Sequence, residues 1–161
     1  MKERTSTQSC EPANELLKLD RQMCFALYST SLAMTKLYKP VLSDIGLTYP
    51  QYLVMLVLWE QDGITVSALK ERLYLDYGTL TPLIKRLEKQ ELLTRTRPPE
   101  DERQVLIHLT TRGHSLRERA QPVPMHVAEA SGCSRTELED LKSQLNALRQ
   151  RLHSHLESGP I

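Results

Sequence analysis

From Leu16 to Leu37 apolar residues recur at helical spacing, with Leu16, Leu19, Met23, Leu27 and Met34 in one broad stripe. They spread over more than one face. That predicts a helix covered on several sides, by its own domain and by a partner. Pro40 bends or ends it, and Gly46 closes the next short turn. A second helix opens at Thr48-Tyr49-Pro50, with Pro50 at its first position. Its body, QYLVMLVLWE, is apolar almost throughout and belongs in the core; Gly63 stops it. TVSALKERLYL is a short helix with Val66, Leu69 and Leu73 inward, and Asp76-Tyr77-Gly78 is a tight connection. In TLTPLIKRLEKQ, Leu80, Leu83, Ile84 and Leu87 fall at i, i+3, i+4 and i+7, an amphipathic helix. Pro82 fits it only in the first turn or with a local distortion.

After Glu91 the period changes to two. LLTRTR alternates, with Arg95 and Arg97 on one side and Thr94 and Thr96 on the other. PPEDER is turn chemistry, and QVLIHL is a second strand with Val105, Ile107 and Leu109 on one face. Together they predict a hairpin with a charged tip. Thr110 can cap a helix over 111–120, which Pro122 and Pro124 interrupt. Ser134-Arg135-Thr136-Glu137 is a capping box opening the last helix, to about Leu156. The fold class is therefore mainly α with one small β-hairpin.

The chain has 161 residues, 40% hydrophobic and 25% charged, the make-up of one globular domain with a real core. No apolar run approaches bilayer length, and the start, MKERTSTQSCEPANE, lacks the apolar stretch of a signal peptide. A cytoplasmic protein with no membrane partner is expected. Three cysteines, Cys10, Cys24 and Cys133, do not make a disulfide scaffold in a reducing compartment. No metal or other cofactor is expected: CxxC spacing is absent, and His153 and His155, two apart on a helix, face different sides. With 21 basic and 20 acidic residues the net charge is +1, so nucleic-acid binding must come from local placement of charge.

Residues 66–109 run helix, tight turn, helix, two-stranded hairpin, the layout of a winged helix-turn-helix. In such modules the second helix leads into the major groove with its N-terminal residues. Here those are Tyr77, Gly78, Thr79 and Thr81, with Lys85 and Arg86 one turn on. Hydroxyls and helix N-terminal amides suit phosphates and base edges, and Lys and Arg neutralise phosphates. The hairpin tip would reach the neighbouring minor groove with Arg95, Arg97 or Arg103. The plain alternative is a solvated helix and hairpin of mixed charge.

PEDERQVLIHLTTRG resembles the wing signature of the MarR family of bacterial repressors. It has an Asp, an Arg two residues later, a strand, then Leu-Thr and a Gly: Asp101, Arg103, Leu109, Thr110 and Gly113. TLTPLIKRLEKQELLTR is similar to that family's recognition helix and first wing strand. The resemblance covers about residues 16–157. It implies a homodimer on double-stranded DNA, on a pseudo-palindromic operator with half-sites about one helical turn apart. Residues 1–14 are polar, with Pro12, and read as a flexible arm; the resemblance implies dimerisation helices at 15–47 and 114–161 and a winged module at 48–113.

Within that family LDRQMCFALY, KLYKPVL and LTYPQYLVMLVLWE resemble the organic hydroperoxide sensors, OhrR, at Cys24, Tyr38 and Tyr49. Taken alone, Cys24 reads first as a small buried filler, and the resemblance reverses that. Tyr38 lies fourteen residues after Cys24, about 21 Å along a continuous helix and on nearly the same face, so the two cannot touch within one chain. They can meet if the first helices of two subunits run antiparallel. The thiolate attacks peroxide, burial by itself makes a thiol inert, and phenol donors from Tyr38 and Tyr49 would offset that. Tyr28, one turn past Cys24, is either a further support or plain core. Cys133 stands just before the last helix's capping box, where the helix dipole favours a thiolate; read alone it is also an ordinary turn residue. The family's two-cysteine members have a second cysteine at this place, which implies a Cys24–Cys133 disulfide between subunits after oxidation by an organic hydroperoxide. Cys10 departs from the family pattern and reads as a bystander. Three rival readings are a repressor relieved by reversible binding of a small aromatic ligand, a thiol peroxidase, and a helical adaptor. The peroxidase lacks a thioredoxin-like pattern around its cysteines, and a regulator that is no enzyme is the expectation.

Overall fold

The computed structural model describes residues 13–99, 101 and 103–159. Cys10 and the arm expected at 1–14, apart from 13 and 14, lie outside the described residues. In chain order come α1 (Ala13–Leu16), a 3-10 turn (Leu19–Arg21), α2 (Met23–Ser43), α3 (Tyr49–Glu60), β1 (Ile64–Thr65), α4 (Val66–Leu73) and α5 (Tyr77–Lys89). The hairpin strands β2 (Leu93–Thr96) and β3 (Leu106–Leu109) follow, then α6 (Thr111–Ala120), α7 (Val123–Ser131) and α8 (Arg135–Glu157). The chain divides into two compact units, residues 1–36 and 37–161.

In the first unit the single helix expected from Leu16 onward is broken. Lys18 and Gln22 are extended, and the Gln22 side-chain amide donates to the carbonyl oxygens of Leu16 (2.5 Å) and Lys18 (3.3 Å). A side chain thus takes up carbonyls that a continuing helix would have bonded. Cys24 is therefore in the first turn of α2 rather than mid-helix. No described residue of this unit is buried.

The second unit holds the core. The apolar body of α3 buries Tyr52, Val54, Met55, Val57, Leu58 and Trp59. The amphipathic α5 turns Leu80, Leu83, Ile84 and Leu87 onto it, and Leu69 of α4 completes that side. Asp76 caps α5 by accepting from the Thr79 amide at 2.7 Å, so Tyr77 and Gly78, expected in the turn, are already its first two residues. Pro82 lies in the second turn of α5, past the place expected for it, and Pro40 lies within α2 without ending it. Pro50 is the second residue of α3, after Thr48 as cap and Tyr49. Thr110 caps α6, and the Ser134–Glu137 capping box opens α8, as the spacing predicts. α7 is a helix of its own, started by Pro122 and Pro124 at an N-terminus, where a missing N–H costs nothing.

The sheet has three strands in the order β1-β3-β2, all antiparallel, with Leu93 opposite Leu109 and Ile64 opposite Ile107. The two-residue β1 was not anticipated, because two residues carry no period. Ile107 and Leu109 are buried as the alternation predicts. This is a winged helix-turn-helix, with α4 and α5 as its helix pair and β2–β3 as its wing.

Candidate functional site

Three groups of residues stand out. The first is the leading end of α5 with the wing. Both Asp76 carboxylate oxygens are used: one accepts the Thr79 amide, the other its hydroxyl at 2.9 Å. These bonds hold the Asp76 carboxyl below its usual value. Gly78 leaves room for the cap, since a Cβ there would stand 3.0 Å from Asp76 Oδ1. Tyr77, Thr81, Lys85 and Arg86 are exposed on the outer side of α5.

A cleft of about 480 Å³ separates that helix from the wing. Tyr77, Thr81, Arg95 and Arg103 line it, over a floor of Val66, Ile84 and Val105. Four of the residues singled out in the sequence thus come together here. Thr65, Ser67 and Gln104 also line it, and nothing local in the sequence marks them. Arg95 is opposite Ile107 in the ladder, so it shares the inward face of the wing. Its guanidinium donates to Glu88 Oε2 of α5 through Nε (3.0 Å) and Nη2 (2.6 Å). Arg97 is exposed just past β2. Asp101 accepts the Arg103 amide at 3.1 Å, and the Gln104 amide bonds its carbonyl at 3.1 Å, so Asp101 shapes the turn that presents Arg103.

The second group is aromatic. Tyr38 near the end of α2 and Tyr49 at the start of α3 meet with their rings tilted at 44° and ring centroids 4.6 Å apart, and the Tyr52 centroid stands 6.1 Å from that of Tyr38. Burial pushes all three phenols above their usual value of 10.0, with their mutual charge repulsion adding to the shift of Tyr38 and Tyr52. They are neutral donors at physiological pH. Tyr52 continues to Trp59 at 6.3 Å, whose indole donates to the Gly113 carbonyl at 2.9 Å, next to the wing's base. Sequence reading missed Tyr52, although Tyr49, Tyr52 and Trp59 at i, i+3 and i+10 share one helical face.

The third group is the thiols. Cys24 and Cys133 are both free and exposed. Cys24 is in the first turn of α2, the end of a helix that carries positive partial charge. Tyr28 is 62% exposed and so is not core in this chain. Cys133 follows Gly132, which ends α7 in the left-handed region (φ 69°), and precedes Ser134, the cap of α8. Among the described residues no helix is long and apolar enough to cross a membrane.

The family model for SarA/Rot transcriptional regulators matches residues 36–119, from the end of α2 through α6. An organic hydroperoxide resistance transcriptional regulator of Bacillus subtilis (strain 168) is 50% identical over 137 residues, 85% of this chain and 93% of its own. The chain belongs to the MarR and SarA/Rot family of winged-helix transcriptional regulators. Among solved structures, reduced AbfR bound to DNA superposes with a TM-score of 0.74 at 34% identity, covering 88% of this chain and 97% of that one. The disulfide form of AbfR superposes at 0.56 with 37% identity, over 84% of this chain and 95% of that one. Family membership makes the leading end of α5 and the wing the candidate nucleic-acid interface.

Proposed function

We propose that the protein is a DNA-binding repressor that senses organic hydroperoxides through Cys24. The joining of Tyr38 and Tyr49 from two helices into one patch of neutral phenols is the observation that carries it, because such donors would stabilise a Cys24 thiolate brought to them by a second subunit. Likeness to a hydroperoxide resistance regulator over most of the chain supports the same reading.

The Cys24 thiolate attacks the outer peroxide oxygen. The O–O bond breaks, the alkoxide leaves and takes a proton to become an alcohol, and sulfur is oxidised to a sulfenic acid. The Cys133 thiolate of a second subunit then attacks that sulfur; the S–O bond breaks, hydroxide leaves as water with one proton, and the disulfide forms. A homodimer is needed for this. Two copies would also cover Met23, Leu27 and Leu32 on α2 and Leu141, Leu145 and Leu152 on α8, all exposed here. Operator contacts fall to Tyr77, Gly78, Thr79, Thr81, Lys85 and Arg86 on α5 and to Arg95, Arg97 and Arg103 on the wing, with Asp101 as the wing's shaper.

The test is a gel shift on the DNA flanking the protein's own gene, with and without cumene hydroperoxide, read beside a non-reducing gel. Oxidation should release DNA and give a covalent dimer; Cys24→Ser should bind DNA and ignore peroxide. A monomer band after oxidation would overturn the disulfide step. The cleft between α5 and the wing favours a second reading, reversible release by an aromatic carboxylate paired with Arg95 and Arg103 over the apolar floor. A Cys24→Ser protein released by such a ligand, with the parent insensitive to peroxide, would favour it.

A further inference from the structure

We propose that Tyr74 is a positioning residue through which α8 controls the seating of α5. This rests on the oxidation reading of Cys24 and Cys133 and names the joint that passes the change on.

Tyr74 ends α4 in the left-handed region, with φ 54°, a conformation that side-chain-bearing residues adopt at a cost and that glycine or asparagine would fill more easily. Its ring is half exposed, so core packing does not account for it. Two side chains of α8 hold it instead. The Arg149 guanidinium lies over its face, 4.6 Å from the centroid, and the His153 ring meets it edge-on at 5.5 Å. Arg149 and His153 are four apart and so project from one side of α8. A guanidinium over a phenol face is held by the ring quadrupole and is strong enough to orient, yet weak enough at an exposed site to be remade.

The place of that ring is what matters. Two residues on, Asp76 caps α5, and next to it the Tyr77 ring carries Lys70 Nζ at 5.0 Å. The turn that aims α5 is thus gripped on both sides of its cap. Within one chain α8 has no buried residue, so that chain's own core does not hold it in place. Cys133 immediately precedes its cap, and Arg149 is sixteen residues further, about 24 Å along a stiff rod. An open cleft of about 720 Å³ is lined by Arg149, Tyr74, Leu53, Ile64 and Leu73, so the Arg149 contact with Tyr74 borders open space. Displacement of the Cys133 end therefore reaches the turn before α5 through the Tyr74 ring.

The test uses the full-length protein with both thiols intact and the variant Arg149→Ala/His153→Ala. Operator affinity is measured reduced and after cumene hydroperoxide, with disulfide formation followed on the same samples. The variant should form the covalent dimer like the parent, bind DNA within about twofold when reduced, and lose roughly fivefold or more of the drop in affinity on oxidation. Tyr74→Phe should keep the full drop, because the ring and not the hydroxyl makes both contacts; Tyr74→Leu should lose it. An unchanged drop at full disulfide formation overturns the proposal. If the parent forms no covalent dimer, the disulfide reading fails on its own account. The joint is then read in reduced protein by amide exchange at 75–80: faster exchange in the double variant supports it, and unchanged exchange overturns it.

Discussion

Gly113→Ala should be among the costliest small substitutions in the chain. Gly113 is the third residue of α6, buried, with an ordinary backbone conformation, so left-handed φ is not what it supplies. A Cβ there would stand 2.0 Å from the Leu92 carbonyl oxygen, 3.0 Å from its carbon and 3.1 Å from Leu109 Cδ2. The nearest obstacle is backbone, so α6 must move by about 1 Å to restore van der Waals separation. That shift strains two bonds: the Thr110 amide to the Leu92 carbonyl (3.1 Å) and the Trp59 indole to the Gly113 carbonyl (2.9 Å). Two weakened hydrogen bonds cost about 1 kcal/mol each, and overpacking adds about 1–3. Alanine's better helix propensity returns about 1. The net is about 2–4 kcal/mol, a fall in Tm of roughly 5–15 °C for a domain of this size. Thermal melts by circular dichroism at one fixed protein concentration read it, since dimerisation makes Tm concentration-dependent. Gly46→Ala is the contrast: φ is +73° but nothing lies within 4 Å, so only the left-handed cost of about 1–2 kcal/mol applies. A Gly113→Ala protein melting within about 1 °C of the parent would refute the close-approach reasoning.

Three further outcomes are expected. Glu88→Gln releases Arg95 from its ion pair, so operator binding should tighten and the slope of log K against log salt should steepen by about 0.9, one more phosphate contact; an unchanged slope would show that Arg95 never reaches DNA. The Asp76 carboxyl is held down by its bonds to Thr79, so its folded value lies below the unfolded 3.8; its contribution is full above 3.8 and is lost as pH falls through the folded value. Asp76→Asn should therefore flatten the acid limb of an unfolding curve, and an identical limb would count against the cap. Tyr38, Tyr49 and Tyr52 have folded values above 10.0, so stability should hold below pH 10 and fall as pH rises from there through the folded values. Tyr52→Phe should lessen that alkaline loss, and the fluorescence of Trp59, the single tryptophan, follows it from 6.3 Å away.

The local signals carried far. The stripe Leu80, Leu83, Ile84, Leu87, the caps Thr110 and Ser134, and the alternation through Ile107 and Leu109 are decided within a few residues, and each of these elements is present, with α5 starting at Tyr77 inside the expected turn and β3 starting two residues later than the strand expected from Gln104. A break that depends on one side chain is less legible: nothing in the composition near Gln22 announces that its amide will take the Leu16 carbonyl and end a helix. The start of α7 at Pro122 is similar, since a proline pair ends one helix and begins another with the same chemistry.

The sequence by itself determined that this is a mainly helical chain with one charged hairpin, an amphipathic second helix in a helix-turn-helix, and cysteines unsuited to a scaffold. These follow from period, capping and composition, which are properties of neighbours along the chain. Tertiary structure alone decided which distant residues meet. It turned Arg95 inward onto Glu88, built one phenol patch from Tyr38, Tyr49 and Tyr52, and put Gly113 against the Leu92 backbone. It also placed Arg149 over Tyr74. Each of these joins elements whose separation along the chain carries no record of their distance in space, because packing and not local preference brings them together.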